Sequence, residues 1–110
     1  MRSRSAPNFP QGTIDPIPTL AELARKHDIG LHVDACLGSY VVVMLEKIGR
    51  PHKHPFDFGV RGVTSMSMDT HKYGLSTKGS SVLMYASKDW MHYQYAAVPK
   101  WSGGIKDTNE

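Results

Sequence analysis

Two ionisable side chains stand where a strand-and-helix chain would carry its chemistry. Asp34 lies near the end of His32-Val33-Asp34-Ala35, and Lys72 lies 38 positions later in Asp69-Thr70-His71-Lys72-Tyr73-Gly74. In open α/β sheets, ligands collect outside the carboxyl ends of the strands, and each residue sits at or just past such an end. A lysine amine can hold an aldehyde covalently, and a carboxylate can keep a heterocyclic nitrogen protonated. Together they are what pyridoxal phosphate needs to work as an electron sink. The spacing leaves room for a helix, a loop and a strand, so both groups can reach one pocket from different strands. Taken singly, a strand-end aspartate is most often a turn former or a cap, and most lysines are solvated. The ordered pair carries the reading, with His71 directly before the lysine and a Gly-rich stretch behind it. Spacing alone names no substrate.

The elements that must position these groups follow from periodicity and punctuation. Residues 1–16, rich in Pro, Gly and Asn, read as a lead-in loop, with Pro7, Pro10 and Pro16 each biasing the preceding residue toward extended geometry. Asp15 ahead of Pro16 predicts a capped helix start. Ile17, Leu20, Leu23 and Ala24 then share one face, Lys26 and His27 suit the last turn, and Gly30 falls just past the end. Residues 29–35 form a strand candidate, and Gly38-Ser39 permits a turn into a helix over 40–48 that Gly49 and Pro51 stop. A polar loop with His52 and His54 leads to a strand over 63–68, where apolar residues alternate with Ser or Thr. A third strand is expected over 81–85 and a helix start over 90–95. The alternation predicts an α/β fold with parallel pairing at least between the first two strands. Three strands and two helices leave edges and faces open, so the expectation is part of a larger domain.

Composition narrows the function classes. The chain has 110 residues and a formal charge of +3, but its thirteen Lys and Arg are scattered, which argues against nucleic-acid binding. The lone Cys36 rules out an internal disulfide and is compatible with a reducing compartment. The longest strongly apolar stretch, 40–45, is far short of the roughly 20 residues of a membrane span. The basic start, Met1 to Ser5, leads into Ala6-Pro7-Asn8-Phe9-Pro10 and not into a signal-type apolar core. His32, Asp34 and Cys36 alternate along a strand and would share a face, yet no His or Cys pair has a zinc spacing, so no metal is expected. Cys36 reads as a small packed residue near the pocket and the 41–45 run as core. Tyr93, Tyr95 and Trp101 read as packing against the rest of a large domain, or as a substrate-channel wall.

Longer motifs supply a resemblance. Ala6-Pro7-Asn8-Phe9-Pro10-Gln11-Gly12-Thr13-Ile14-Asp15-Pro16-Ile17 is similar to a run of the sphingosine-phosphate lyase family. So are Gly30-Leu31-His32-Val33-Asp34-Ala35-Cys36-Leu37-Gly38, Asp69 to Gly74, and Lys78-Gly79-Ser80-Ser81. The similarity covers residues 5 to 105, whereas glutamate and aromatic amino-acid decarboxylases share only the His-Val-Asp-Ala and His-Lys elements. The resemblance implies part of the large domain of a fold-type-I pyridoxal-phosphate enzyme, a three-layer fold on a mostly parallel sheet. It implies a homodimer with the site at the subunit interface. Lys72 would hold the cofactor, Asp34 would pair with its pyridine nitrogen, and Ala35 would lie beside it. Thr70 and His71 would lie near its phosphate, and Lys78 would assist proton transfer or bind substrate phosphate. The reaction implied is cleavage of a long-chain base phosphate into a fatty aldehyde and phosphoethanolamine, at the cytosolic side of the endoplasmic reticulum membrane. The alternatives are an amino-acid decarboxylase of the same fold, or a non-catalytic fragment that associates with intact subunits.

The departures are specific. Gln11 stands where the family usually has His, Ser39 where a second Gly is usual, and Lys106 where Tyr follows Gly-Gly-Ile; residues 106–110 leave the pattern. The family's ring-stacking histidine, upstream phosphate loop, small C-terminal domain and membrane anchor have no counterpart among these residues. The expectation is an internal piece of such an enzyme, inactive alone.

Overall fold

The computed structural model describes residues 1–95. A four-stranded sheet runs in the order β1 (Arg2–Ser5), β2 (Leu31–Asp34), β3 (Val63–Met68), β4 (Val82–Tyr85). The first two pairings are parallel and the last is antiparallel. Helix α1 (Ile17–Lys26) connects β1 to β2, α2 (Ser39–Lys47) lies between β2 and β3, and a short α3 (Lys88–Met91) follows β4 and runs into a 3₁₀ turn, His92–Gln94. The expected α/β class and the parallel pairing of the two central strands are both present.

β1 departs from the loop expected over residues 1–16. Its Arg-Ser alternation offers no apolar position, so nothing in the side chains signals a strand. Backbone bonds to β2 make it one, with Arg2 N–H on the Gly30 carbonyl and Ala6 N–H on the Asp34 carbonyl, each at 2.9 Å. Charged side chains on such a rim also discourage further pairing. Asp15 departs as well. Its Oδ2 accepts the Ser5 backbone N–H at 3.0 Å, so it tethers the loop to β1, and Pro16 occupies the N-cap position with no side-chain cap.

The core lies on one face of the sheet beneath α1. Ile17, Ala21 and Ala24 of the helix are buried against Leu31, Val33, Val63 and Met66. Ala21 therefore takes the place expected of Leu23, which is 52% exposed. Ile17, Leu31 and Val33 are fully buried, and each such side chain is worth about 1.5–3 kcal/mol. These few contacts hold the two central strands in place.

An irregularity sets the character of the other face. Leu31 pairs with Val63, but the register then slips so that His32 pairs with Ser65, Val33 with Met66 and Asp34 with Ser67. Thr64 is the extra residue, and its Oγ1 donates to the Leu31 carbonyl at 3.0 Å. A one-residue slip exchanges the faces of everything beyond it. Val63 and Met66 can thus both face the core, while Ser65 and Ser67 join His32 and Asp34 on the opposite side.

Helix α2 ends in a Schellman arrangement. Arg50 N–H reaches the Leu45 carbonyl at 2.8 Å and Gly49 N–H the Glu46 carbonyl at 3.1 Å, with Gly49 at φ +73° where a side chain would be strained. Its apolar run is not core in this chain. Only Val42 is buried, while Val41, Val43 and Met44 are exposed, because no described element covers them.

Candidate active site

The carboxyl ends of β2 and β3 bring the expected residues together. Asp34 ends β2 half-buried, and its Oδ1 accepts the Cys36 backbone N–H at 3.0 Å and the Ser67 hydroxyl at 3.3 Å. Its Oδ2 accepts no backbone or hydroxyl donor among the described residues. The chain then turns so that the Cys36 carbonyl accepts Asp69 N–H at 3.2 Å, which ties the end of β2 to the start of the loop after β3. Lys72 belongs to that loop, and its Nζ lies 2.8 Å from Asp69 Oδ2.

The Cys36 thiol is close enough to feel both the Asp34 carboxylate and the Lys72 amine. Burial first, then Asp34, pushes the thiol up from its ordinary range, with Lys72 opposing. A thiol held up this way stays protonated at neutral pH and is a poor nucleophile. Asp69 and then Cys36 raise the Lys72 amine. Asp69 is correspondingly held below the usual carboxylate range by Lys72 first and then by Ser81, whose Oγ donates to Asp69 Oδ1 at 2.5 Å. The free amine is thus kept charged.

The rest of the loop is built from its own backbone. Ser76 N–H reaches the Thr70 carbonyl at 3.0 Å and Leu75 N–H the Lys72 carbonyl at 3.1 Å. A Cβ on Gly74 would come within 2.5 Å of the Thr70 carbonyl oxygen, so only glycine lets the turn close over residues 70–76. Thr70 Oγ1 is hydrogen-bonded to Ser80 Oγ, and His71 Nδ1 donates to the Ser80 carbonyl at 2.5 Å. Ser80 therefore orders both residues. Ala35 is fully buried, its N–H on the Ser67 carbonyl at 2.9 Å. Lys78 is exposed, and no contact joins it to Lys72 among the described residues.

Asp69, Ser67, Ser80, Ser81 and the thiol were not singled out as site residues from sequence. Asp69 had a local signal, three positions before the lysine in a turn. The serines become visible only once the slip at Thr64 and the pairing with β4 are known. Among the described residues no group of three or more His, Cys, Asp or Glu converges as a metal site. Trp101, Gly103, Gly104 and the tail 106–110 lie outside the described residues.

The pyridoxal-dependent decarboxylase conserved domain matches residues 10–101. The chain belongs to this family. The lysine and aspartate expected to serve pyridoxal phosphate thus lie in a family that depends on it. Rat sphingosine-1-phosphate lyase 1 is 56% identical over 101 residues, covering 92% of this chain and 18% of the rat protein. The Drosophila melanogaster sphingosine-1-phosphate lyase is 54% identical over the same share of each. The solved sphingosine-1-phosphate lyase of Burkholderia pseudomallei superposes with a TM-score of 0.80 at 44% identity, over 94% of this chain and 24% of that one. A glutamate decarboxylase domain from Vibrio parahaemolyticus matches less well, with a TM-score of 0.64 and 26% identity over 83% of this chain and 18% of that one. These lyases are more similar to the chain than the decarboxylase domain is, the order that the longer motifs implied. The chain spans about a fifth of the length of the curated relatives it matches.

Proposed function

We propose that this chain is the cofactor-lysine segment, within the large domain, of a pyridoxal-phosphate-dependent carbon–carbon lyase. Its substrates would be phosphorylated long-chain 2-amino-3-hydroxy bases, and its products a fatty aldehyde and phosphoethanolamine. One observation carries the cofactor part: the Cys36 carbonyl, two residues past Asp34, accepts Asp69 N–H at 3.2 Å, and Asp69 Oδ2 lies 2.8 Å from the Lys72 amine. The two groups are therefore near enough to serve one ring. The donor set fits the cofactor, with an amine for its aldehyde, a carboxylate oxygen without a backbone or hydroxyl donor for its ring nitrogen, and an ordered hydroxyl and imidazole nearby.

Bound pyridoxal phosphate supplies the electron sink that receives the electron pair of the cleaved bond. The protein's residues divide the remaining work. Asp34, its Oδ1 fixed by Cys36 N–H and Ser67, would pair with the ring nitrogen through its other oxygen and keep that nitrogen protonated. Lys72 would hold the cofactor through its aldehyde, and Asp69, 2.8 Å from its amine, holds that amine in the charged form until then. Thr70 and His71, ordered by Ser80, would hold the phosphate, and buried Ala35 would lie beside the ring. Lys78, six residues beyond Lys72 on an exposed loop, moves a proton or receives the substrate phosphate.

The same reading carries a homodimer with the site at its interface and a place at the cytosolic face of the endoplasmic reticulum membrane. Among the described residues no helix is long and apolar enough to cross a membrane. The isolated chain is expected to retain cofactor weakly and to lack activity. A second reading, association with intact subunits without catalysis, is favoured by the apolar surface that α2 exposes at Val41, Val43 and Met44. Co-purification of the tagged chain with a full-length lyase tests it.

The activity is tested by grafting residues 10–101 into the Burkholderia lyase in place of its own segment. The chimera is then assayed with a long-chain base phosphate and with glutamate. Aldehyde release is expected. Carbon dioxide without aldehyde would move the assignment to a decarboxylase.

A further inference from the structure

Behind Asp34 a line of polar groups continues past Ser67 to His32 and Ser65, which the proposed chemistry does not use. His32 shares its strand face, and both imidazole nitrogens are engaged by β3. Nδ1 is 2.8 Å from Ser65 Oγ and Nε2 is 3.1 Å from Ser67 Oγ. Ser67 Oγ is in turn 3.3 Å from Asp34 Oδ1. The register slip at Thr64 aligns the three β3–β2 contacts, since without it Thr64 and Met66 would occupy these places.

Proton counting gives the line a direction. A serine hydroxyl has one proton to donate. Asp34, when ionised, only accepts, so the Ser67 proton goes to Oδ1. Ser67 Oγ must then accept from His32, which places the imidazole proton on Nε2. Nδ1 is left as an acceptor and takes the Ser65 proton in preference to the weak thioether of Met1, 3.9 Å from Ser65 Oγ. Burial, with Asp34 opposing, holds the imidazole below its ordinary range, so one ring proton is the neutral-pH state and the count closes.

We propose that Ser65, His32 and Ser67 form a one-way hydrogen-bond relay ending on Asp34 Oδ1, with His32 and Ser67 acting as positioning residues for the carboxylate that meets the ring nitrogen. This rests on the cofactor reading of Asp34. Linked donors polarise one another, so the relay strengthens the bond that Ser67 makes to Asp34 Oδ1 and fixes the carboxylate's rotation, leaving Oδ2 for the ring. The sequence places His32 on the same face as Asp34. The partners that give His32 its direction come from β3.

The tautomer is read by long-range proton–nitrogen correlation on the nitrogen-15-labelled full chain at neutral pH, with His32→Gln identifying the signal. A proton on Nε2 and a bare Nδ1 are expected. A proton on Nδ1, or fast averaging between the two forms, overturns the relay whatever the cofactor does. A second arm strips the Burkholderia chimera of cofactor, titrates it with pyridoxal phosphate, fixes the product with borohydride and maps label at Lys72. Ser67→Ala is expected to raise the half-saturating concentration about tenfold, the loss of one hydrogen bond to a charged group, with Ser67→Thr restoring it. Asp34→Ala raises it further. If Asp34→Ala weakens capture and Ser67→Ala does not, the relay fails while the site stands. If Asp34→Ala changes nothing, or Lys72 takes no label, the cofactor reading fails, and the tautomer still decides the relay.

Discussion

Around Asp34 and Lys72, polar atoms are paired with one another; along α2, apolar ones face water. At the strand ends Asp69 is shared by Lys72 and Ser81, Asp34 by Cys36 and Ser67, and Ser80 by Thr70 and His71. All of these partners lie within two stretches of sequence and the strands beside them. Along α2, Val41, Val43 and Met44 find no cover, although the helix has a well-formed C-terminal cap. The geometry of a site can therefore be local, written into two strands and a turn, while the shielding that makes it work is not.

Four substitutions break or sharpen that contrast. The largest effect belongs to Lys72→Ala, which removes all borohydride-fixed label from this position and abolishes turnover by the chimera. Next is Ile17→Ala, beneath the sheet, expected to cost about 2–5 kcal/mol in urea unfolding because the small core cannot close the cavity. Then comes Asp69→Asn. Asp69 raises the Lys72 amine, and an attaching amine must be neutral, so the substitution is expected to speed label capture at mildly alkaline pH. Each unit by which the amine falls gives about tenfold more neutral form. The ion pair stabilises the fold above the ordinary carboxylate range and below the ordinary lysine range. It is lost as pH falls through the lowered Asp69 value or rises through the raised Lys72 value. As a partly exposed pair it contributes about 0–1 kcal/mol, so the capture rate is the better probe. The smallest effect is Met44→Lys on α2, expected within about 0.5 kcal/mol of the parent chain by the same unfolding measurement. A large loss there would mean that α2 is covered after all.

The sequence made the anchors legible because their logic is one-dimensional. Asp34 ends an apolar strand, and Lys72 follows another. β1 was invisible because its strand character comes from backbone bonds to a neighbour and not from Arg2 or Arg4. Leu23 and Ala21 exchanged roles because the small side chain lets α1 sit close to Leu31. The 41–45 run has the composition of core, but burial depends on a partner surface, and the described residues provide none. The polar layer around Asp34 was hidden by one extra residue, Thr64. Without the slip in register, the serines that support the carboxylate would face the core.

The central claim is that Asp34 and Lys72 serve the same ring from opposite ends. The most direct measurement fixes nitrogen-15-labelled cofactor at Lys72 of the chimera with borohydride and records the shift of its ring nitrogen in the parent and in Asp34→Ala. A protonated ring nitrogen that persists above the pH at which the free cofactor loses its proton, and is lost in Asp34→Ala, is the predicted result. A shift that follows solvent pH identically in both proteins would contradict it.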